Sequence, residues 1–314
     1  MGRLDGKVAI VTGAGRGVGR GHALELARQG AAVVVNDLDA VANEVVAEIE
    51  RAGGHAAADH HSVADFAAAE QLIGSTVERF GDLNILVTNA GILRDRMVFN
   101  MDESDWHSVM AVHGKGHFGA TRFACAYWRE KSKATGTAVF GRLVHTTSRS
   151  GLFSAPGQAN YDFAKAGIAS FAIAVAREME RYGVTSNAIA PVARTRLTEG
   201  TFGEIKADGD FDRWDAENVA PFVAYLCSPE PAHITGQIFV VFGGEMVLIE
   251  PYQPAAKIEK PGRWTVHEQV AEVGSLLPAD RLSRPSAGRF SSSQPASGRS
   301  RRRRLGRRVL RGER

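Results

Sequence analysis

Along the first 250 positions, apolar residues fall into short continuous runs separated by stretches where they recur every three or four residues. Runs of the first kind read as strands buried on both faces; the second spacing is that of a helix with one apolar side. Strands are predicted at 7–13, 31–37, 84–90, 142–148, 184–190 and 237–243, with a weaker one at 55–60. Helices are predicted at 19–29, 40–51, 65–80, 103–132, 160–182 and 215–228. Gly30, Gly53, Gly81 and Gly183 stand where helices should end. This alternation predicts an α/β fold: one doubly wound parallel sheet of about seven strands with helices on both faces. The predicted helix at 103–132 holds Gly114, Gly116 and Gly119, so either it bends or another backbone approaches it closely.

Thr12-Gly13-Ala14-Gly15-Arg16-Gly17-Val18-Gly19 follows the first strand and opens the first helix. Glycines there let the backbone turn tightly beside a pyrophosphate, and the helix start supplies N–H groups and partial positive charge. Asp37 ends the second strand, where a carboxylate can accept hydrogen bonds from both ribose hydroxyls and repel a 2′-phosphate. That favours NAD over NADP. Arg16 pulls the other way, but a carboxylate forced beside a phosphate costs more than a guanidinium left in solvent. Asp37 can also cap the next helix. Asn89-Ala90-Gly91, Ser148 and Pro191 fall at the carboxyl ends of predicted strands, the edge where open α/β sheets bind ligands.

Tyr161 and Lys165 are four apart on one predicted helix, and Ser148 lies thirteen residues upstream of the tyrosine. Four apart means one face. An ammonium beside a phenol favours phenolate, so the phenol is expected below its free pKa of about 10, ready to exchange a proton with an alcohol.

With these motifs in order, the stretch from Leu4 to Glu250 resembles the short-chain dehydrogenase/reductase family. It is most similar to the branch containing the (3R)-hydroxyacyl-CoA dehydrogenase domain of peroxisomal multifunctional enzymes. Val35-Asn36-Asp37-Leu38, Gly91-Ile92-Leu93-Arg94-Asp95, Val112-His113-Gly114-Lys115-Gly116 and Asn218-Val219-Ala220-Pro221-Phe222 carry that likeness. The resemblance implies a Rossmann-type sheet and hydride transfer between NAD and a 3-hydroxyacyl-CoA, steroid-derived acyl chains included. It implies Ser148, Tyr161, Lys165 and His113 as catalytic residues. Gly13, Arg16, Gly17, Val18, Gly19, Asp37, Ser62, Val63, Asn89, Ala90, Gly91, Pro191 and Thr195 would bind the cofactor, together with Tyr161 and Lys165. A homodimer or homotetramer follows, joined through the helices at 103–132 and 160–182. Three positions depart from the family pattern. His113 replaces an asparagine that anchors a water in the proton relay, Ser62 replaces an aspartate at the adenine, and Val192 replaces a glycine, where it is expected to crowd the nicotinamide end. His113 reads equally as a structural residue at the glycine kink. A steroid or sugar alcohol substrate, or an inactive NAD-binding scaffold, are the alternatives.

Composition narrows the partners. No apolar run approaches the ~18 residues of a membrane span, and no apolar signal segment precedes the first strand. Two well-separated cysteines suggest neither a disulfide framework nor a zinc site, so a cytoplasmic protein without a metal is expected. The net charge of +3 hides an asymmetry: residues 281–314 hold twelve Arg and one Glu, leaving the rest at a net −8. The expected organisation is a catalytic domain at 1–250, an ordered extension at 251–280 packing on the domain or a subunit interface, and a basic, disordered tail at 281–314. Thr195–Trp214 reads as a substrate loop. A nucleic-acid contact by the tail is disfavoured, because no aromatic residue follows Phe290.

Overall fold

Valine- and isoleucine-rich strands flanked by helices can hide both faces only inside a layered sheet. The computed structural model, which describes residues 2–197 and 211–276, has that arrangement. Among the described residues one sheet runs β3-β2-β1-β4-β5-β6-β7-β8. Its strands are β1 (Val8–Thr12), β2 (Ala32–Asn36), β3 (His55–Asp59), β4 (Ile85–Thr88), β5 (Gly141–Thr146), β6 (Val184–Val192), β7 (Ile238–Phe242) and β8 (Glu245–Ile249). The first seven are parallel and β8 is antiparallel to β7. Chain order reverses between β1 and β4, which opens a crevice at their carboxyl ends.

The helices are α1 (Gly17–Arg28), α2 (Val41–Arg51), α3 (Phe66–Phe80), α4 (Glu103–Val109), α5 (Gly116–Thr135), α6 (Arg149–Phe153), α7 (Ala159–Met179) and α8 (Ala220–Cys227). Alternate strand residues feed opposite faces. Val11, Val33, Val35, Ile85 and Val87 pack with Leu26 of α1, Ile49 of α2 and Leu226 of α8. Ile10, Val34, Leu86 and Leu143 pack with Leu72 of α3, Trp128 of α5 and Met179 of α7. Asp65 caps α3 by accepting from the Ala68 N–H at 3.0 Å.

Two expectations change. The sheet has an eighth strand, because Gly243-Gly244 makes a two-residue hairpin that returns the chain along β7. The single helix expected at 103–132 is α4 and α5 joined by a π-helical segment, Met110–Lys115. Its glycines admit close neighbours: a Cβ on Gly116 would lie 3.1 Å from Val63, and one on Gly119 would lie 3.2 Å from Ala69.

The chain divides after Glu259 into two compact units. In the second, a short helix (Val266–Glu272) starts with a capping box between Thr265 and Glu268. Most of the expected substrate loop and the whole basic tail lie outside the described residues.

Candidate active site

The glycine turn is held by contacts that leave no room for side chains. Gly13 has φ +62°, and a Cβ there would lie 2.7 Å from the Ala90 Cα. A Cβ on Gly19 would lie 2.1 Å from the Gly13 carbonyl oxygen. Thr12 Oγ1 accepts from the N–H groups of Asn89 (2.9 Å) and Ala90 (3.1 Å). Asn89 Nδ2 donates to the carbonyls of Thr12 (3.1 Å) and Gly13 (3.2 Å). The ends of β1 and β4 are thereby locked beside the start of α1, which has no side-chain cap. Its free N–H groups and dipole suit an anion.

Asp37 follows β2. Its Oδ2 accepts from the Gly15 N–H at 2.9 Å and its Oδ1 from the Asp39 N–H at 3.1 Å. Arg16 is bound to Asp39 at 2.5 Å, and its guanidinium holds the Asp39 carboxyl below the usual carboxylate range. Beyond β3, Asn36 Nδ2 donates to Asp59 (2.6 Å) and to the His61 carbonyl (2.9 Å), setting Ser62 and Val63 on the cleft wall.

The reactive group gathers at β5 and α7. Thr147 Oγ1 donates to the Lys165 carbonyl at 2.6 Å, pinning α7 to the end of β5. Lys165, 2% exposed, donates from Nζ to the Thr146 carbonyl at 2.6 Å and stands 5.5 Å from the centre of the Tyr161 ring. Ser148 caps α6, and its hydroxyl faces the Tyr161 phenol closely enough to favour the phenolate. Burial pushes Lys165 down to about 7. Burial also pushes Tyr161 up to about 12; the Ser148 hydroxyl opposes this, and Asp95 and Asp162 add to it. The expectation of a lowered phenol therefore fails for the protein by itself. Desolvation of the phenolate outweighs the neighbouring ammonium, which burial disfavours as well.

His113, in the π segment, brings Nε2 to 2.8 Å from the Ile92 carbonyl and 3.1 Å from the Ile92 nitrogen. Its ring meets Tyr161 edge-on at 5.1 Å. Burial, with Lys165 adding, pushes it down to about 3, so the imidazole is neutral. A Cβ on Gly91 would lie 2.6 Å from the His113 Cε1, which explains the glycine after β4. Asn160 Nδ2 donates to the Arg94 carbonyl at 3.0 Å and ties the next loop to α7.

All these predicted residues line one cleft of about 640 Å³: Gly13, Arg16, Gly17, Val18, Gly19, Asp37, Ser62, Val63, Asn89, Ala90, Gly91, His113, Ser148, Tyr161, Lys165, Pro191 and Thr195. Val192 does not crowd it. That side chain packs with Ala190 and Val240 in the core, because successive strand residues point to opposite faces. Thr12 and Asn36 enter the sequence reading only as members of motifs, and Thr146 and Thr147 not at all, since the bracing role of a buried threonine or asparagine has no local signature. Among the described residues no His, Cys, Asp or Glu group could hold a metal ion, and no helix is long and apolar enough to cross a membrane.

A glycine turn at the switch point of a doubly wound sheet, facing a serine, tyrosine and lysine across one cleft, defines a dinucleotide-dependent oxidoreductase. Comparison narrows the class: residues 7–202 match the short chain dehydrogenase family, and the chain belongs to it. It is 48% identical over 258 residues to hydroxyacyl-CoA dehydrogenase ChsB1 of Mycobacterium tuberculosis, covering 79% of this chain and 81% of that one. It is 43% identical over 235 residues to peroxisomal multifunctional enzyme type 2 of Drosophila melanogaster, covering 72% of this chain and 37% of that longer protein. A short chain dehydrogenase from Mycobacterium avium superposes with a TM-score of 0.81 at 47% identity, covering 88% of this chain and 95% of that one. The turn, held in place by Asn89, the uncapped helix start and the remaining Nζ donors of Lys165 fit the NAD(P) that this family uses.

Proposed function

We propose that the protein is an NAD-dependent dehydrogenase of 3-hydroxyacyl-CoA thioesters, with fatty or steroid-derived acyl chains as candidate substrates. The observation that carries this is the convergence of Ser148, Tyr161 and Lys165 on one wall of the cleft opposite the glycine turn. The name of one relative, a hydroxyacyl-CoA dehydrogenase, supplies the substrate class.

In the oxidation direction, Ser148 holds the alcohol oxygen, and Tyr161 takes the alcohol's proton once its own has left to solvent, a loss that the Ser148 hydroxyl and the Lys165 charge favour against burial. Lys165 supplies positive charge beside the phenol and donors for a ribose. NAD, when bound, supplies the hydride acceptor. His113 holds the backbone at Ile92 and, through it, the strand end that supports the cofactor. Asp37 favours NAD, because a 2′-phosphate would meet the carboxylates of both Asp37 and Asp39, and Arg16 is already paired. Two protomers associate through α5 and α7, whose Phe118 and Phe163 are 46% and 58% exposed. The free thiols Cys125 and Cys227 fit a reducing compartment such as the cytoplasm.

NADH formation across 3-hydroxyacyl-CoAs, steroid alcohols and sugar alcohols, with each cofactor, tests the substrate class. Tyr161→Phe should lower kcat at least ~10²-fold while NAD binding persists. Wild-type turnover in that variant would remove Tyr161 from its role. NAD binding without turnover anywhere in the panel would mark a scaffold instead.

A further inference from the structure

Behind Ser148 lies a set of contacts that the proposed chemistry leaves unused. Ser148 Oγ accepts from the Ser150 N–H at 3.3 Å and lies 3.1 Å from Ser150 Oγ. Both serines belong to the start of α6, which is pressed onto α7: a Cβ on Gly151 would lie 2.4 Å from the Lys165 Cβ. The chain leaves α6 through Ser154, at φ +59° and ψ 146°. Among the described residues it is the one non-glycine residue at positive φ. A residue with a side chain is strained there, so the conformation persists only where its surroundings impose it.

Two contacts impose it. The Ser154 N–H donates to the Ser150 carbonyl at 2.6 Å, and the Ala155 N–H donates to Asp162 Oδ2 at 2.7 Å. The second bond is charge-assisted, and it joins the exit of α6 to α7 one residue past Tyr161. Asp162 is 9% exposed, and its Oδ1 has no hydrogen-bond partner among the described residues. Burial pushes its carboxyl up; the Ala155 N–H and the nearby Ser150 hydroxyl oppose this, and Asp95 adds to it. Neither Ser150 nor Asp162 lines the cleft, so both act through Ser148.

We propose that Asp162 is a positioning residue: its carboxylate, with Ser150, clamps the strained exit of α6 to α7 and so fixes the Ser148 hydroxyl beside the Tyr161 phenol. The role rests on the dehydrogenase reading of Ser148 and Tyr161. The titratable groups facing Asp162 are Tyr161, its neighbour on α7, and Asp95 from the loop after β4. The Asp162 anion opposes ionisation of Tyr161 and is itself costly to bury. Its charge works against the base, so its benefit is the geometry it holds.

Two measurements on the full chain test this. Asp162→Ala should lower kcat roughly ten- to a hundredfold with the Kd for NAD unchanged, because Ser148 shifts while the glycine turn and Lys165 keep their places. Asp162→Asn keeps an acceptor for the Ala155 N–H and should restore most of that loss. Lacking the charge, it should also move the acid limb of kcat/KM to lower pH, since the phenol loses a neighbouring anion. Ser150→Ala should lower kcat in the same way and covers the case in which Asp162→Ala does not fold. Wild-type kcat in a folded Asp162→Ala or in Ser150→Ala, or an equal loss of NAD binding, would overturn the role. Crystal structures of wild type and Asp162→Ala should show Ser154 returning to negative φ and Ser148 Oγ displaced by about 1 Å. An unmoved Ser148 would overturn the clamp. If the wild-type protein oxidises no alcohol, the dehydrogenase reading fails while the crystallographic arm still decides the clamp.

Discussion

Lys165→Met should make the protein more stable and much less active. The lysine is 2% exposed and burial pushes it from 10.5 to about 7. A gap of that size corresponds to ~5 kcal/mol of destabilisation when both folded and unfolded states are protonated. Methionine fills similar space without charge. It leaves the Thr146 carbonyl without its 2.6 Å donor, at a cost of about 1–3 kcal/mol. The variant should therefore gain about 2–4 kcal/mol below about pH 7. The sign follows from proton binding. Between about pH 7 and about pH 10.5 the unfolded lysine holds a proton that the folded one has lost, so wild-type stability rises with pH; the gain vanishes inside that window and near its upper limit becomes a loss of about 1–3 kcal/mol, that of the missing hydrogen bond. Activity moves oppositely. A charge 5.5 Å from the phenol ring is worth ~3 kcal/mol at an effective dielectric constant of ~20, so kcat should fall roughly a hundredfold. Urea unfolding at about pH 6 and about pH 10, beside NADH formation, reads both effects. A variant less stable than wild type at the lower pH, or a stability difference equal at both, would refute the reasoning.

Asp37→Ala should raise the NADP-to-NAD ratio of kcat/KM at least ~tenfold, since it removes a carboxylate from the 2′-phosphate position and leaves Arg16 nearby; an unchanged ratio in paired cofactor titrations would exclude Asp37 from selectivity. His22 is fully buried, neither ring nitrogen has a partner among the described residues, and burial pushes it down to about 3. Below its ordinary 6.5 the unfolded chain binds a proton that the folded chain refuses, so stability falls from there toward about pH 3. His22→Leu should shift the midpoint of acid unfolding to lower pH in circular-dichroism titrations, and an unmoved midpoint would contradict this.

The readable parts of the site share one property. Gly13 to Gly19, Asp37, Ser148 and the Tyr161–Lys165 pair announce themselves by residue type at fixed spacing beside a strand end. Val192 shows where such reading stops. Its place in the family pattern pointed at the cleft, and strand alternation turned it into the core with Val240. The π segment was legible only as glycines in an otherwise helical stretch. The hairpin that adds β8 lay in Gly243-Gly244, a turn signal at the end of an already complete parallel pattern.

Sequence alone determined the order of strands and helices, the nucleotide turn and the residues that face each other across the cleft, because period and spacing act over a few neighbouring positions. Tertiary structure alone decided the electrostatics. Lys165 is pushed down, Tyr161 up and His113 toward neutrality by the exclusion of water, and that exclusion comes from β5, α5 and α7, elements far apart in the chain.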